Sequence, residues 1–130
     1  MALDIATAAL LEQMAAAGGK GLHEGTPEEA REMSKAFAAM AGPAPVMARS
    51  EDHQVTVADG SIALRVLVPT QGVRGVIVFY HGGGWVIGTI DEWDTMARKL
   101  AERTSCAVVL PDYRLAPEFQ NPIATDDSYA

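Results

Sequence analysis

The sequence predicts an α/β fold in which an antiparallel hairpin leads into a parallel sheet with flanking helices. Two continuous apolar runs, 75–81 and 106–113, have the pattern of strands that are buried on both faces. Between them, residues 91–104 have the apolar period of an amphipathic helix, and a right-handed crossover through this helix makes the two strands parallel. Apolar residues alternate through 53–69, which is typical of half-buried strands.

Two helices are expected before the strands. Residues 2–17 are rich in alanine with apolar residues at helical spacing, and the glycines within 18–21 end this helix. The second helix begins with Thr26 as N-cap, Pro27 at the first helical position and Glu29 at the capping-box position. Its apolar face either packs on the core or forms a mobile flap over an apolar site, and it consists of Ala30, Met33, Phe37, Met40 and Ala41.

The hairpin turn and the last segment complete the predicted elements. Asp59 and Gly60 form the dipeptide favoured in tight hairpin turns, so we place the turn there. Residues 121–130 predict the opening of a helix, with Asn121 as N-cap and Pro122 at the first position. Because this helix lacks a C-cap glycine and the predicted sheet is small, we expect the 130 residues to be the N-terminal part of a larger fold.

Composition narrows the classes of partner and compartment. Seventeen acidic residues against ten basic ones give a net charge of −7, which argues against nucleic acid and anionic membranes as partners. No segment approaches the roughly 18 apolar residues of a membrane span, and the N-terminus lacks a signal-peptide pattern, so we expect a soluble, cytoplasmic protein.

Cys106, the single cysteine, is expected to be a buried, inert thiol. The three histidines lack metal-ligand spacing, so no metal is expected.

Three consecutive glycines follow the first apolar strand, in the sequence His-Gly-Gly-Gly-Trp at 81–85. Glycine weakens a regular element by roughly 0.5–1 kcal/mol relative to alanine, so this run indicates a local need for bare backbone. A nucleotide site does not fit, because neither a G-x-G-x-x-G pattern nor a Gly-Lys-Ser/Thr sequence is present.

An oxyanion hole fits the triglycine run better than a phosphate site. Backbone N–H groups aimed at one point stabilise the negative oxygen of a tetrahedral intermediate, and glycine leaves no Cβ between loop and substrate. In this interpretation His81 anchors the loop by hydrogen bonding and Trp85 forms a wall of the apolar substrate pocket. A purely structural glycine turn beside a core histidine stays open as the alternative.

A second motif, Asp-Tyr-Arg-Leu-Ala-Pro-Glu at 112–118, follows the first by about thirty residues. Together the two motifs resemble the hormone-sensitive-lipase-like branch of the α/β-hydrolase carboxylesterases, and the resemblance extends from the hairpin to Ala130. It implies the N-terminal part of an α/β-hydrolase fold. Residues 1–45 would be a helical cap or lid, matched only by placement, and 46–130 the incomplete N-terminal half of the core.

The resemblance also implies roles for individual residues. The oxyanion donors would be amides of the glycine run, Gly83 and Gly84 above all, with Gly82 shaping the turn. The second motif is architectural in the family. By this carry-over Arg114 and Glu118 form an internal ion pair. Asp112 and Tyr113 would serve as polar anchors of the same loop.

The nucleophile of the family is missing from this sequence. No serine lies in a Gly-x-Ser-x-Gly elbow, Ser128 falls on a predicted helix, and every histidine precedes the place of the family's general base. We therefore expect the nucleophile, acid and base on a companion chain or a C-terminal segment, and this chain alone to be inactive. The resemblance implies a small ester with a short or medium acyl chain as substrate and no cofactor.

A non-catalytic interpretation stays open beside the enzymatic one. The chain would then be a fragment or assembly module that pairs with another chain through the open edge of its unfinished sheet. Self-association into a homo-oligomer is compatible with either interpretation.

Overall fold

A computed structural model describes residues 3–18, 21 and 23–130, and it confirms the predicted α/β architecture. One four-stranded sheet has the order β1-β2-β4-β3, with β1–β2 and β2–β4 antiparallel and β3–β4 parallel. The elements, in chain order, are α1 (Ile5–Ala17), α2 (Pro27–Ala39), β1 (Arg49–Val57), β2 (Gly60–Val68), β3 (Val76–Val78), α3 (Ile90–Thr104), β4 (Ala107–Pro111) and α4 (Ile123–Tyr129).

The two N-terminal helices begin at capped residues. In α1 the Asp4 carboxylate accepts a hydrogen bond from the Thr7 amide at 3.0 Å, whereas the α1 side chains are mostly exposed. The predicted capping box of α2 is confirmed, since Thr26 and Glu29 exchange side-chain to backbone hydrogen bonds. The predicted apolar face of α2 is only partly packed, because Ala30 is buried but Phe37 is exposed.

Contacts with α3 hold α2 against the sheet domain. The Ser34 hydroxyl donates a hydrogen bond to the Glu92 carboxylate, and the Lys99 ammonium donates to the carbonyl of Ala41 at 2.8 Å. α2 therefore lies beside the helix that follows the glycine loop, residues 81–89.

The β1–β2 hairpin turns one residue earlier than the sequence predicted. Its register pairs Val57 with Gly60, so Ala58 and Asp59 are the turn residues and Gly60 begins β2. Gly60 has φ of 141°, a backbone conformation that residues with a Cβ rarely adopt, which explains glycine at this strand end.

The core lies between α3 and strands β2 and β4. Its buried side chains are Leu67, Ile90, Ala97, Ala101, Val108 and Leu110. β4 is almost fully buried, as predicted for a strand covered on both faces. β3 is shorter than the predicted run, and only Ile77 packs on the core, whereas Val76 is 65% and Val78 50% exposed. The prediction that β3 is buried on both faces is therefore wrong for this chain.

Two further local predictions need correction. α4 begins at Ile123 with Pro122 as the capping residue and no side-chain cap, so the prediction of Asn121 as N-cap is wrong. A turn closed by the Ile123 amide and the Gln120 carbonyl at 3.0 Å occupies the place of that first helical turn. Cys106 is partly exposed rather than buried. Among the described residues, no helix has the length and apolar character needed to cross a membrane.

Candidate active site

The glycine loop and the second motif meet at one edge of the sheet. β3 and β4 are parallel neighbours, so the segments that follow their carboxyl ends, 79–89 and 112–119, lie side by side. Crevices at this edge are the usual ligand sites of open α/β sheets. The loop then ends where Thr89 caps α3, with its side chain accepting from the Glu92 amide.

Close packing and positive φ angles account for two of the three glycines. Gly83 has φ of 136°, and a Cβ there would lie 1.9 Å from the carbonyl oxygen of Ile87. Gly84 has φ of 59° with open space around it. Gly82 meets neither restriction. The bare backbone is thus required by the turn at Gly83, where the amides of Val86 and Ile87 both donate to the Gly83 carbonyl at 3.1 Å.

The amides of the glycine run are available to a ligand. Within the described part of the chain, none of the N–H groups of Gly82, Gly83 and Gly84 donates a hydrogen bond. They border a cleft of about 280 Å³. The lining residues are Tyr80, His81, Gly82, Gly83, Gly84, Trp85, Tyr113 and Ser128. Unpaired donors beside a cleft can bind an oxygen that carries negative charge.

His81 is held at the base of this cleft by Tyr113. The Tyr113 hydroxyl donates to the His81 carbonyl at 2.6 Å, and the two rings stack with centroids 4.3 Å apart. His81 Nδ1 lies 2.9 Å from the carbonyl oxygen of Gly82, which can only accept, so Nδ1 carries the proton. His81 is 4% exposed and its Nε2 has no hydrogen-bond partner in the described part of the chain. Burial raises the pKa of Tyr113, which keeps the phenol protonated.

Trp85 stands between the first cleft and a second one. Trp85 is 65% exposed, and its carbonyl accepts a hydrogen bond from the Ala116 amide at 2.8 Å. The second cleft, of about 330 Å³, has a mostly apolar lining. Its lining residues are Gly84, Trp85, Ala116, Phe119, Asn121, Ala124 and Thr125.

The predicted ion pair between Arg114 and Glu118 is wrong. Arg114 instead binds Asp127 of α4 through two side-chain hydrogen bonds of 2.9 and 2.7 Å and one from its amide at 3.0 Å. These bonds hold the pKa of the buried Asp127 below its usual range. Glu118 turns to Arg31 of α2. The reason is that α4 and α2 flank the 112–118 segment and each supplies a partner of opposite charge.

Asp112 and Tyr113 do anchor their loop by hydrogen bonds, as predicted. The Asp112 carboxylate accepts from the Ile90 amide at the start of α3 at 3.1 Å. Partial burial raises the pKa of Asp112. This bond ties the segment after β4 to the end of the glycine loop.

Three residues contact this edge that the sequence did not predict to lie there: Arg31, Tyr80 and Ser128. Arg31 contacts both loops, yet nothing in its helical context distinguishes it from a surface arginine. The Tyr80 hydroxyl donates to the Ser128 carbonyl at 2.7 Å. Ser128 borders the cleft, and its hydroxyl donates to the Ala124 carbonyl at 2.7 Å within α4. The alternation of β3 could have placed Tyr80 opposite to Phe79, but the approach of α4 has no signal in sequence.

The parallel strands β3 and β4, with the glycine loop and α3 between them, have the arrangement of an α/β hydrolase. Residues 77–130, which include both motifs, match the family model described as alpha/beta hydrolase fold. The chain is 30% identical over 103 residues to an arylesterase of Saccharolobus solfataricus, covering 78% of this chain and 34% of the relative. It is 34% identical over 125 residues to versiconal hemiacetal acetate esterase of Dothistroma septosporum, covering 91% and 37%.

Solved esterase structures agree with this assignment. The ester hydrolase EH1AB1 from the metagenome of Lake Arreo superposes with a TM-score of 0.90 at 31% identity, over 99% of this chain and 43% of the other. A hyperthermophilic esterase of Pyrobaculum calidifontis gives 0.88 at 33% identity, over 99% and 42%. This chain belongs to the α/β-hydrolase family, in the hormone-sensitive-lipase-like branch of esterases. It spans less than half of the length of these relatives.

Proposed function

We propose that the chain forms part of a carboxylic ester hydrolase that acts on short- to medium-chain acyl esters through a serine acyl-enzyme. The observation that carries the proposal is that the Gly83 and Gly84 amides lie beside a cleft and donate no hydrogen bond within the described part of the chain. Relatives named as esterases support the reaction class. In this proposal the chain supplies the oxyanion hole, with residues 1–45 as cap and 46–130 as part of the core.

The proposed reaction follows the acyl-enzyme route. A serine hydroxyl loses its proton to a histidine base and attacks the ester carbon, while the carbonyl electron pair moves to oxygen. The Gly83 and Gly84 amides donate to this oxyanion. The carbonyl re-forms as the alcohol leaves with the proton from the histidine, and water then releases the acid by the same steps. One such donor is worth about 2.7–4 kcal/mol of barrier.

The nucleophile, acid and base are proposed to lie outside the 130 residues. The sequence contains no Gly-x-Ser-x-Gly elbow. Ser128 borders the cleft, but its hydroxyl donates a hydrogen bond to the Ala124 carbonyl inside a regular helix. A companion chain or a C-terminal segment would therefore supply the serine, and this chain alone is proposed to be inactive.

The substrate is proposed to be a small ester whose apolar parts contact Trp85. The two clefts, of about 280 and 330 Å³, meet at Gly84 and Trp85, so an ester placed at the amides can extend to either side. The mostly apolar second cleft suits a short aliphatic chain.

Covalent labelling tests this proposal on the intact protein, by which we mean this chain together with its companion chain or C-terminal segment. A denaturing intact-mass spectrum shows whether a companion chain is present, and p-nitrophenyl butyrate reports hydrolysis. A phosphonate ester that captures serine nucleophiles should then label a serine in a Gly-x-Ser-x-Gly segment and no residue of 1–130. Labelling of Ser128, or hydrolysis by the 130-residue chain alone at a rate above buffer, would place the nucleophile in this chain and contradict the proposal.

An assembly module is the second candidate function. It is favoured by β3, an edge strand of this sheet whose Val76 and Val78 side chains are exposed. In this case the protein would form a stoichiometric complex through the β3 edge without ester hydrolysis. A charged substitution, Val78→Lys, would abolish that complex, whereas hydrolysis of p-nitrophenyl butyrate by the intact protein decides for the enzyme.

A further inference from the structure

We propose that Arg31 of α2 is a positioning residue for the glycine loop, holding the Gly83 and Gly84 amides in place through the carbonyl of Val86. This inference rests on the proposed function for its catalytic consequence but not for its structural one. Arg31 Nε donates to the Val86 carbonyl at 3.0 Å, and Nη2 donates to the Ala116 carbonyl at 2.9 Å. One guanidinium thus binds a backbone oxygen from each of the two loops at the candidate site.

Val86 connects the arginine to the glycines directly. Its carbonyl accepts from Arg31, while its own amide donates to the Gly83 carbonyl at 3.1 Å. Both hydrogen-bonding groups of this residue are therefore engaged, one toward α2 and one toward the glycine turn. Removing the arginine leaves the partly buried Val86 oxygen without this donor and frees the end of the turn to shift.

A ring of hydrogen bonds closes around the two loops. The Ala116 amide donates to the Trp85 carbonyl, and the Ala116 carbonyl accepts from Arg31. Arg31 also binds the carbonyl of Val86, which is the next residue after Trp85. The guanidinium therefore completes the ring. Trp85 itself has φ of 61°, which is unfavourable for a residue with a Cβ and needs surrounding bonds to persist.

Glu118 sets the orientation of the guanidinium. Its two carboxylate oxygens each accept a hydrogen bond of 2.7 Å from Arg31, in the bidentate arrangement that fixes the plane of an arginine. These bonds lower the pKa of Glu118 to about 2, so the carboxylate keeps its charge, and with it this pairing, well below neutral pH. Lysine cannot reproduce this fork, since its ammonium is a single point of charge on a flexible stem.

The test compares variants of the intact protein in catalysis and in loop structure. Arg31→Met should lower kcat for p-nitrophenyl butyrate about 10- to 100-fold, because a misplacement near 1 Å has that effect on positioned groups, with KM changed less than about threefold. Arg31→Lys should restore part of kcat, and Glu118→Gln should lower it less than Arg31→Met. Lys35→Met is the matched control, because Lys35 lies on the same helix and its one ion pair within the described residues is with Glu32 of that helix.

Amide resonances separate this inference from the proposed function. In ¹H–¹⁵N spectra the Gly83, Gly84 and Trp85 signals should shift in Arg31→Met and Glu118→Gln and stay in place in Lys35→Met. This expectation holds even if the unsubstituted protein hydrolyses no ester, which would remove the proposed function alone. If Arg31→Met lowers the melting temperature but leaves kcat and these three resonances unchanged, the arginine only stabilises α2 and the inference is wrong. Should Arg31→Met fail to fold, Glu118→Gln gives the same decision.

Discussion

The glycine loop and α1 show that regular backbone structure and contacts with the rest of the fold do not go together in this molecule. The loop, 81–89, has no repeating structure, yet it is bonded to Tyr113, Ala116 and Arg31. α1 is a regular helix with a capped start, but its side chains are mostly exposed. In the described part of the chain, α1 donates no hydrogen bond to another element. The irregular loop is therefore held by contacts with other elements, whereas α1 is held by hydrogen bonds within itself.

The largest expected effect is Gly83→Ala. The new Cβ would lie 1.9 Å from the Ile87 carbonyl oxygen at a backbone φ of 136°, so overpacking and strain add. We expect the free energy of unfolding of the intact protein to fall by about 2–5 kcal/mol, measured by urea denaturation.

Gly72→Ala is the matched control for this substitution. Gly72 has φ of 88° with no atom near the position of a Cβ, so only the backbone strain of about 1–2 kcal/mol applies. Equal losses in the two variants would mean that the loop opens freely around Gly83, and the contrast with α1 would then be lost.

The next effect concerns the support of the loop by Tyr113. Tyr113→Phe removes the hydroxyl that donates to the His81 carbonyl at 2.6 Å and leaves a buried acceptor unpaired. The expected loss in unfolding free energy is about 1–3 kcal/mol. Tyr129→Phe serves as control, because Tyr129 is exposed and should change stability by less than about 0.5 kcal/mol. A Tyr113→Phe protein as stable as this control would show that the His81 carbonyl finds another donor.

A smaller effect of opposite sign is expected at Asp112. Burial raises the pKa of Asp112 in the folded state, so ionisation of this carboxyl disfavours folding. The cost is absent at pH values below the unfolded pKa of about 3.9, appears as pH rises through the folded pKa, and is complete above it. Asp112→Asn should therefore raise stability relative to wild type at pH 7 and not at pH 3.5.

Urea denaturation at the two pH values measures this difference. Asp126→Asn on the exposed face of α4 is the control and should show no comparable pH-dependent gain. A gain of equal size at pH 3.5 would assign the effect to packing rather than to ionisation of Asp112.

The same comparison separates what the sequence could predict from what it could not. Local signals were sufficient for the capping box at Thr26 and for the crossover that pairs β3 with β4. The glycine run predicted a loop that needs bare backbone, which Gly83 confirms. The functional roles of the five residues His81–Trp85 stay predictions, although the structure places them along one cleft.

Long-range partners were beyond sequence reasoning. Arg114 and Glu118 are four residues apart and opposite in charge, so pairing them is the local choice, but Asp127 of α4 and Arg31 of α2 compete with it. Which arginine meets which carboxylate depends on how α2 and α4 flank the loop, and no residue spacing encodes that. For the same reason the exposure of Val76 and Val78 could not be read from an apolar run.

The smallest expected effect is in α1, where Leu10→Ala should change the unfolding free energy by less than about 0.5 kcal/mol, since Leu10 is 44% exposed. Leu11→Ala, on a neighbouring face of the helix, should behave alike. A loss above about 1 kcal/mol in only one of the two variants would mean that this face of α1 packs against a surface outside the described residues. Repeating the urea denaturation at tenfold higher protein concentration then distinguishes a second copy of the chain, which would raise the midpoint, from a segment of the same polypeptide, which would not.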